Sequence, residues 1–296
     1  MKQKLIVIVG PTASGKSALA VRLAKKFNGE IISADSRQIY RELAIGSGAV
    51  TKKEMAGVHH HLLGVASARR TFTAAQFVRL ARRAINDIAR RGKLPIITGG
   101  TAFWIDALVY GLSLPAVKPD YKLRRVLEKK SPAALLALLK KLDPRRAKTI
   151  EQKNPRRLIR AIEIARSLGK VPPLHRGILF PALWIGLHPP AKTWLPHMAR
   201  RTEAIIRRGL IRETRKLLEN GISKKRIRQF GFEYTAALDA IERRASKDEL
   251  ASRIKHDTAR FAKRQMRWWK RNPDIIWVND ARSPERLVRT YFQKTT

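Results

Sequence analysis

Residues 10–17 read GPTASGKS and directly follow the apolar run KLIVIVG. No other segment constrains the fold as strongly. With Gly10 and Gly15 at the first and sixth places, the chain can turn tightly enough for consecutive backbone N–H groups to converge on an anion where the next helix starts. Lys16 brings a positive charge to that anion, and the Ser17 hydroxyl suits a magnesium ion. The whole loop, Gly10, Pro11, Thr12, Ala13, Ser14, Gly15, Lys16 and Ser17, is thereby a candidate site for a diphosphate or nucleotide. Residues 4–9 are β-rich without alternation, as in a strand buried on both faces of a parallel sheet, and KSALAVRLAKKF after the loop has the spacing of an amphipathic helix.

The same buried-strand character returns in GEIISADS, which ends near Asp35, and in LPIITGG. Between them a helix is predicted from about residue 73 to residue 91, with Thr73 and Gln76 as a capping box and Gly92 as its stop. Strand, helix and strand in this order argue for right-handed βαβ units, and ALWIGL and DIIWVN read as further strands. The fold class expected is α/β: a P-loop NTPase-like core with a mostly parallel sheet flanked by helices, plus an all-helical insertion domain. The insertion is placed at residues 115–175 and the core at residues 1–114 and 176–296. Within the insertion, Ser131-Pro132, Asp143-Pro144 and Asn154-Pro155 each set a cap before a proline at the first helical position, and Gly169 closes the last helix. This stretch carries 17 Lys and Arg against 5 Asp and Glu, so it should present a basic surface.

Over the whole chain, 63 Lys and Arg against 23 Asp and Glu give a formal charge of +40, a field suited to a polyanionic partner such as a nucleic acid. The absence of cysteine excludes disulfides and thiolate zinc sites. No secretory leader and no apolar run near the length of a bilayer span can be read, so a cytoplasmic protein without a membrane partner is expected. Near the C-terminal end, Ile254, Thr258, Phe261, Gln265 and Trp268 recur at helical spacing and should face the core. Arg260, Lys263, Arg264, Arg267 and Lys270 follow the same spacing on another face. Trp268 is thus read as packing, and Trp269 is left without a role.

In a parallel sheet the carboxyl ends of the strands face one crevice, so SADSRQIY after the second strand and TGGT after the next bring Asp35, Ser36, Arg37, Gln38 and Thr101 toward the phosphate loop. Loop and strand order alone fit a nucleotide or small-metabolite kinase. The ordered set GPTASGKS, GEIISADSRQIY, GVHHHLL, ITGGTAFWIDAL, NPRRLIRAIEI, GLIRETRKLLENG and DTARFAKRQMRWWKR, however, resembles the tRNA dimethylallyltransferase (isopentenyltransferase) family over nearly the whole chain. That resemblance implies transfer of the dimethylallyl group of dimethylallyl diphosphate to N6 of the adenosine 3′ of the anticodon. It implies tRNA as partner; the loop calls for Mg²⁺ as cofactor, and a monomer is expected.

On the resemblance, Asp35 is the carboxylate that accepts the amine proton or orients N6, with a role in metal binding as the alternative. Thr101 corresponds to a hydroxyl near the leaving oxygen, Lys16 is catalytic, and Gln38 can offer donor and acceptor to the adenine edge. Arg124, Arg156, Arg157 and Arg160, with Leu158 and Ile159 in the same run, carry over as tRNA-contacting residues. The chain departs from the family pattern at Ser17 (usually Thr), Trp104 (usually Tyr), Arg156 (usually Gln), GFEY at residues 231–234 (GYKE), and near Ala191, where an Arg is usual. The triple His59-His60-His61 is read as structural, because adjacent residues of an extended segment point to opposite sides and neither Cys nor Asp completes a metal set. Two other readings stay open: a phosphoryl-transferring kinase and a basic RNA-binding protein without chemistry.

Overall fold

The computed structural model describes residues 3–175, 177–243, 245–279 and 283–293. The elements in chain order begin with β1 (Leu5–Val9), α1 (Lys16–Lys26), β2 (Gly29–Ser33), α2 (Lys52–Met55), β3 (His60–His61), α3 (Ala74–Arg90), β4 (Leu94–Thr98) and α4 (Ala102–Val109). There follow α5 (Tyr121–Leu127), α6 (Pro132–Leu142), α7 (Pro144–Thr149) and α8 (Pro155–Leu168). The last part contains β5 (Ala182–Leu187), α9 (Ala191–Arg207), α10 (Leu210–Glu219), α11 (Lys224–Arg228), α12 (Phe232–Arg243), α13 (Lys247–Trp269), β6 (Ile275–Val278) and α14 (Ser283–Gln293). Two compact units result, one of Met1–Gly111 with Ile178–Thr296 and one of Leu112–Gly177.

In the larger unit six strands form one sheet in the order β3-β2-β4-β1-β5-β6, every pair parallel. The central strand β1 aligns Ile6 with Ile96 of β4 and Val7 with Trp184 of β5. All of Leu5, Ile6, Val7, Ile8 and Val9 are fully buried, which is why this run shows no alternation. Each such side chain contributes about 1.5–3 kcal/mol of burial. One face of the sheet packs Ile6, Ile8, Ile31, Ile96 and Ile185 against Leu19 and Leu23 of α1 and Val288 of α14. The capping box of Thr73 and Gln76 opens α3, and Gly92 follows it at a φ of 66°.

The sequence pattern does not reveal β3. His60 and His61 pair with Ile31 and Ile32 of β2, and two residues are too few to show a period. A second difference concerns α13, whose buried stripe is Leu250, Ile254, Thr258, Ala262, Gln265 and Trp269. Phe261 and Trp268, expected on that stripe, are only half-buried. A bulk-weighted reading takes Phe261 over its small neighbour Ala262 and so moves the stripe by one residue. Trp269 is therefore the packing tryptophan, fully buried with its ring centroid 6.3 Å from that of Trp184. Trp268 donates its indole N–H to Asp106 at 2.8 Å. The cations Arg260, Lys263, Arg264, Arg267 and Lys270 are all exposed, as their spacing predicts.

The smaller unit is helical and has its own core of Leu127, Leu135, Leu139, Ile150, Leu158 and Ile162, among others. Ser131, Asp143 and Asn154 accept hydrogen bonds from Ala134, Arg146 and Arg157 backbone N–H groups, each ahead of a proline at the first turn. Gly169 stands at the C-terminal cap of α8 with a φ of 75°.

Candidate active site

The loop between β1 and α1 runs from Gly10 at a φ of 141° through Ala13 at 61° to Gly15 at 89°. A Cβ on Gly10 would lie 2.4 Å from the Leu187 carbonyl oxygen of the neighbouring strand, so only glycine fits there. Lys16 is buried, and its ammonium donates to the Pro11 carbonyl at 2.5 Å. Burial first, and then the nearby Arg201, lowers its pKa to about 7, with Asp35 pulling the other way. The Ser14 hydroxyl is buried without a partner, while Ser17 is exposed at the start of α1. These residues line a cavity of about 420 Å³ whose wall carries Lys16, Arg37, Arg200, Arg201 and Arg208 against Asp35 and Glu54. A cationic surround beside the backbone amides at a helix start suits an anion.

Asp35 lies on the same cavity wall. Its Oδ1 accepts the backbone N–H groups of Arg37 at 2.9 Å and Gln38 at 3.4 Å, which holds the chain in a tight turn after β2. Thr101 caps β4's loop on the other side: its hydroxyl accepts from the Ser36 N–H at 2.9 Å and meets the Ser36 hydroxyl at 3.2 Å. The parallel sheet thus delivers the loops after β1, β2 and β4 to one rim, as the sequence order predicts.

Two sequence-derived roles are altered by local partners. Gln38 accepts from the Ser33 hydroxyl at 3.0 Å and donates to the Gly48 carbonyl at 3.2 Å, so its carboxamide is engaged within the protein. Arg37 is half-buried in a pair with the buried Glu233 at 2.5 Å and lies 5.5 Å and 5.3 Å from the ring centroids of Phe232 and Phe261. Burial alone would lower the Arg37 pKa, but Glu233 and Asp35 outweigh it and hold the guanidinium charged. The GFEY departure is thereby explained in part, since Glu233 is the counter-charge of Arg37 and Tyr234 donates to Glu213 at 2.7 Å.

Three site residues escape a reading of the sequence. Arg201 on α9 donates to the Thr12 hydroxyl at 2.9 Å and to the Ser47 carbonyl at 3.3 Å. Trp194 on the same helix donates to the Thr12 carbonyl at 2.8 Å, and Gln265 on α13 accepts the Thr12 N–H at 2.9 Å. No local signal separates Arg201 from its neighbour Arg200, because the distinction is made only by which helix face meets the loop.

In the smaller unit, Arg124 and Arg160 converge on the buried carboxylate of Glu163, at 2.7 Å and 3.3 Å. Arg157 pairs with Glu151 at 3.2 Å on the surface, and Arg156 is exposed. Leu158 and Ile159 fill the core of this unit, which removes their side chains from any RNA surface.

The histidines meet a carboxylate after all. Glu30, His59 and His61 bring their ligand atoms within 4.8 Å of one another. Glu30 precedes the histidines by some thirty residues and becomes their neighbour only through the pairing of β2 with β3. Its oxygens accept Arg91, Lys93 at 2.8 Å and His61 at 2.7 Å, and these bonds, Arg91 first, hold its carboxyl far below the usual range. Its charge is thus matched by cations, and the carboxylate ties β2 to β3 and to the end of α3. His60 faces the cavity, and its Nδ1 lies 2.9 Å from the Val58 carbonyl.

A glycine-turned anion nest at the carboxyl end of the central strand of a parallel sheet, walled by cations, makes the chain a P-loop α/β protein. Comparison with known proteins narrows this class. The family model described as IPP transferase matches residues 38–272. The tRNA dimethylallyltransferase of Roseiflexus sp. (strain RS-1) is 40% identical over 92% of this chain and 92% of its own length, and that of Acetivibrio thermocellus is 36% identical over 96% and 95%. Among solved structures, the full-length tRNA isopentenylpyrophosphate transferase of Bacillus halodurans aligns with a TM-score of 0.69 at 34% identity, covering 94% of this chain and 90% of that one. A eukaryotic dimethylallyltransferase acting on tRNA aligns with a TM-score of 0.81 at 27% identity, covering 94% and 74%. The chain belongs to the IPP transferase family.

Proposed function

We propose that this chain is a tRNA dimethylallyltransferase, which transfers the dimethylallyl group of dimethylallyl diphosphate to N6 of the adenosine 3′ of the anticodon and releases diphosphate. The carrying observation is the cavity in which a cation-walled phosphate loop faces Asp35 and Gly100, with Thr101 next to Gly100 bonded to the Ser36 N–H. An exocyclic amine is a weak nucleophile, so the barrier falls chiefly through stabilising the leaving group. As the allylic C–O bond breaks, its electron pair passes to diphosphate, and the N–H groups of Ala13, Gly15, Lys16 and Ser17, with the Lys16 and Arg201 side chains, stabilise that charge. N6 attacks the carbon that develops carbocation character, and the proton that N6 loses is accepted by Asp35, whose Oδ1 is already fixed by backbone donors.

The exposed Ser17 hydroxyl is a hard oxygen donor on the cavity wall, which fits Mg²⁺. When bound, the ion would neutralise part of the diphosphate charge. Gln38 serves the target base only by exchanging one of its two present partners. The helical unit, with Arg156 and Arg157 exposed, supplies phosphate contacts to tRNA, and Arg124 and Arg160 act mainly through Glu163. Among the described residues no helix is long and apolar enough to cross a membrane, which supports a cytoplasmic site of action, and the reading takes the protein as a monomer.

Unmodified tRNA incubated with dimethylallyl diphosphate and Mg²⁺, with a parallel reaction on ATP, tests the assignment. Stoichiometric pyrophosphate and prenylated adenosine are expected. Release of ADP with unmodified adenosine would instead make the chain a kinase.

A further inference from the structure

We propose that Gln265 is a positioning residue that ties the phosphate loop to the loop after β4, so that leaving-group binding and amine placement depend on one side chain. The inference rests on the reading of the cavity given above and adds a residue to it. Gln265 is 5% exposed on the buried stripe of α13. Its Oε1 accepts the Thr12 N–H at 2.9 Å, and its Nε2 donates to the Gly100 carbonyl at 3.0 Å. At this reach a carboxamide supplies acceptor and donor together, which neither a carboxylate nor an apolar side chain can do.

Each end of the bridge bears on chemistry. At the first, the Thr12 peptide is also held through its carbonyl by Trp194 and through its side chain by Arg201. With Thr12 so fixed, Ala13 takes a φ of 61°, a backbone conformation that residues with a Cβ rarely adopt, and Ala13 to Ser17 line the cavity. The Thr12 N–H is thereby withdrawn from the anion nest, which begins at residue 13. At the second end, Gly100 is wedged between Gln265 and Asp35: a Cβ there would stand 2.7 Å from Nε2 and 3.4 Å from Asp35 Oδ2. The next residue, Thr101, holds Ser36 in the Asp35 turn. A shift of Gln265 therefore reaches both the diphosphate cradle and the carboxylate.

The full chain carrying Gln265→Met or Gln265→Glu tests this, with inorganic pyrophosphate affinity by calorimetry and steady-state prenylation of tRNA as readouts. Gln265→Met loses both bonds. Pyrophosphate affinity should fall about tenfold and kcat by about tenfold or more, while KM for tRNA stays within about twofold. Gln265→Glu cannot donate at about pH 8, where its carboxylate opposes the Gly100 carbonyl, but once protonated it has the same donor and acceptor as glutamine. Its kcat relative to the parent should rise as pH falls toward about 5.5, whereas the Gln265→Met ratio stays flat. Unchanged pyrophosphate affinity and kcat in Gln265→Met would overturn the proposal, as would a flat ratio for Gln265→Glu. If Gln265→Met does not fold, the pH ratio of Gln265→Glu decides alone. A parent chain that neither binds pyrophosphate nor prenylates tRNA sinks the functional reading instead, so the two failures are distinct.

Discussion

Lys16 combines two demands that oppose each other. It must be charged to hold an anion, yet it is buried beside Arg201, which brings its pKa from 10.5 to about 7. In the folded chain it binds fewer protons than in the unfolded chain between those values, so its contribution to stability rises with pH across that window. A bound anion restores the charged form. Above about pH 7, pyrophosphate binding should therefore take up close to one proton at this group. Calorimetry at about pH 8 in buffers of different ionisation enthalpy measures this uptake, and Lys16→Met should lack it while losing roughly 100-fold or more in turnover. Equal uptake by parent and variant would show that Lys16 does not face the anion. The residue was legible from its place in G-x-x-x-x-G-K-S. Its low pKa was not, because burial, the larger cause, and Arg201, the smaller, both come from tertiary packing.

Among the elements, α8 has ends that the sequence announces and side chains whose directions only the packing sets. Asn154-Pro155 and Gly169 announce both ends of this helix, and the run of arginines suggests a face for RNA. The fold turns Leu158 and Ile159 into the core and draws Arg124 and Arg160 to Glu163. Burial alone would raise the Glu163 carboxyl, but bonds from Arg124, the Asp120 N–H and Arg160 outweigh it and leave it below its usual value. The stabilisation from this carboxylate is present above the ordinary glutamate range and is lost as pH falls through the depressed pKa. Glu163→Gln should destabilise the helical unit by about 1–3 kcal/mol near neutral pH, the partial exposure of both arginines reducing the effect. Amide exchange in α5 and α8 reports it, and the difference from the parent should shrink in acid. In α13 the period was legible, but the choice between Phe261 and Ala262, or Trp268 and Trp269, depended on which neighbours the helix meets.

For the molecule as a whole, a formal charge of +40 sets the affinity for a polyanion and its dependence on salt. Arg156 and Arg157 are exposed on the helical unit, whereas Arg124 and Arg160 already share the Glu163 carboxylate. Replacing Arg156 by Ala should reduce the slope of log affinity for tRNA against log salt by about one ion. Arg124→Ala should change that slope less and cost stability instead. Filter binding over a salt series, with thermal unfolding alongside, measures both effects. Equal slopes for parent and Arg156→Ala would exclude this face as a phosphate contact.

Local chemistry in the chain determined the strands of the core, the capped helices of the insertion and the phosphate loop, because each depends on neighbours within a turn or a strand. It also ordered Asp35 and the TGGT segment, through Gly99 and Gly100, onto the cavity of that loop, since parallel strands share one carboxyl edge. Only the tertiary structure decided that Thr12 is clasped by Trp194, Arg201 and Gln265, that Glu30 meets His61, and that Glu233 neutralises Arg37. These partners lie far apart in the chain, and no periodicity encodes which side chains will meet once helices pack; contact between distant faces is fixed by burial and charge pairing in the folded state alone.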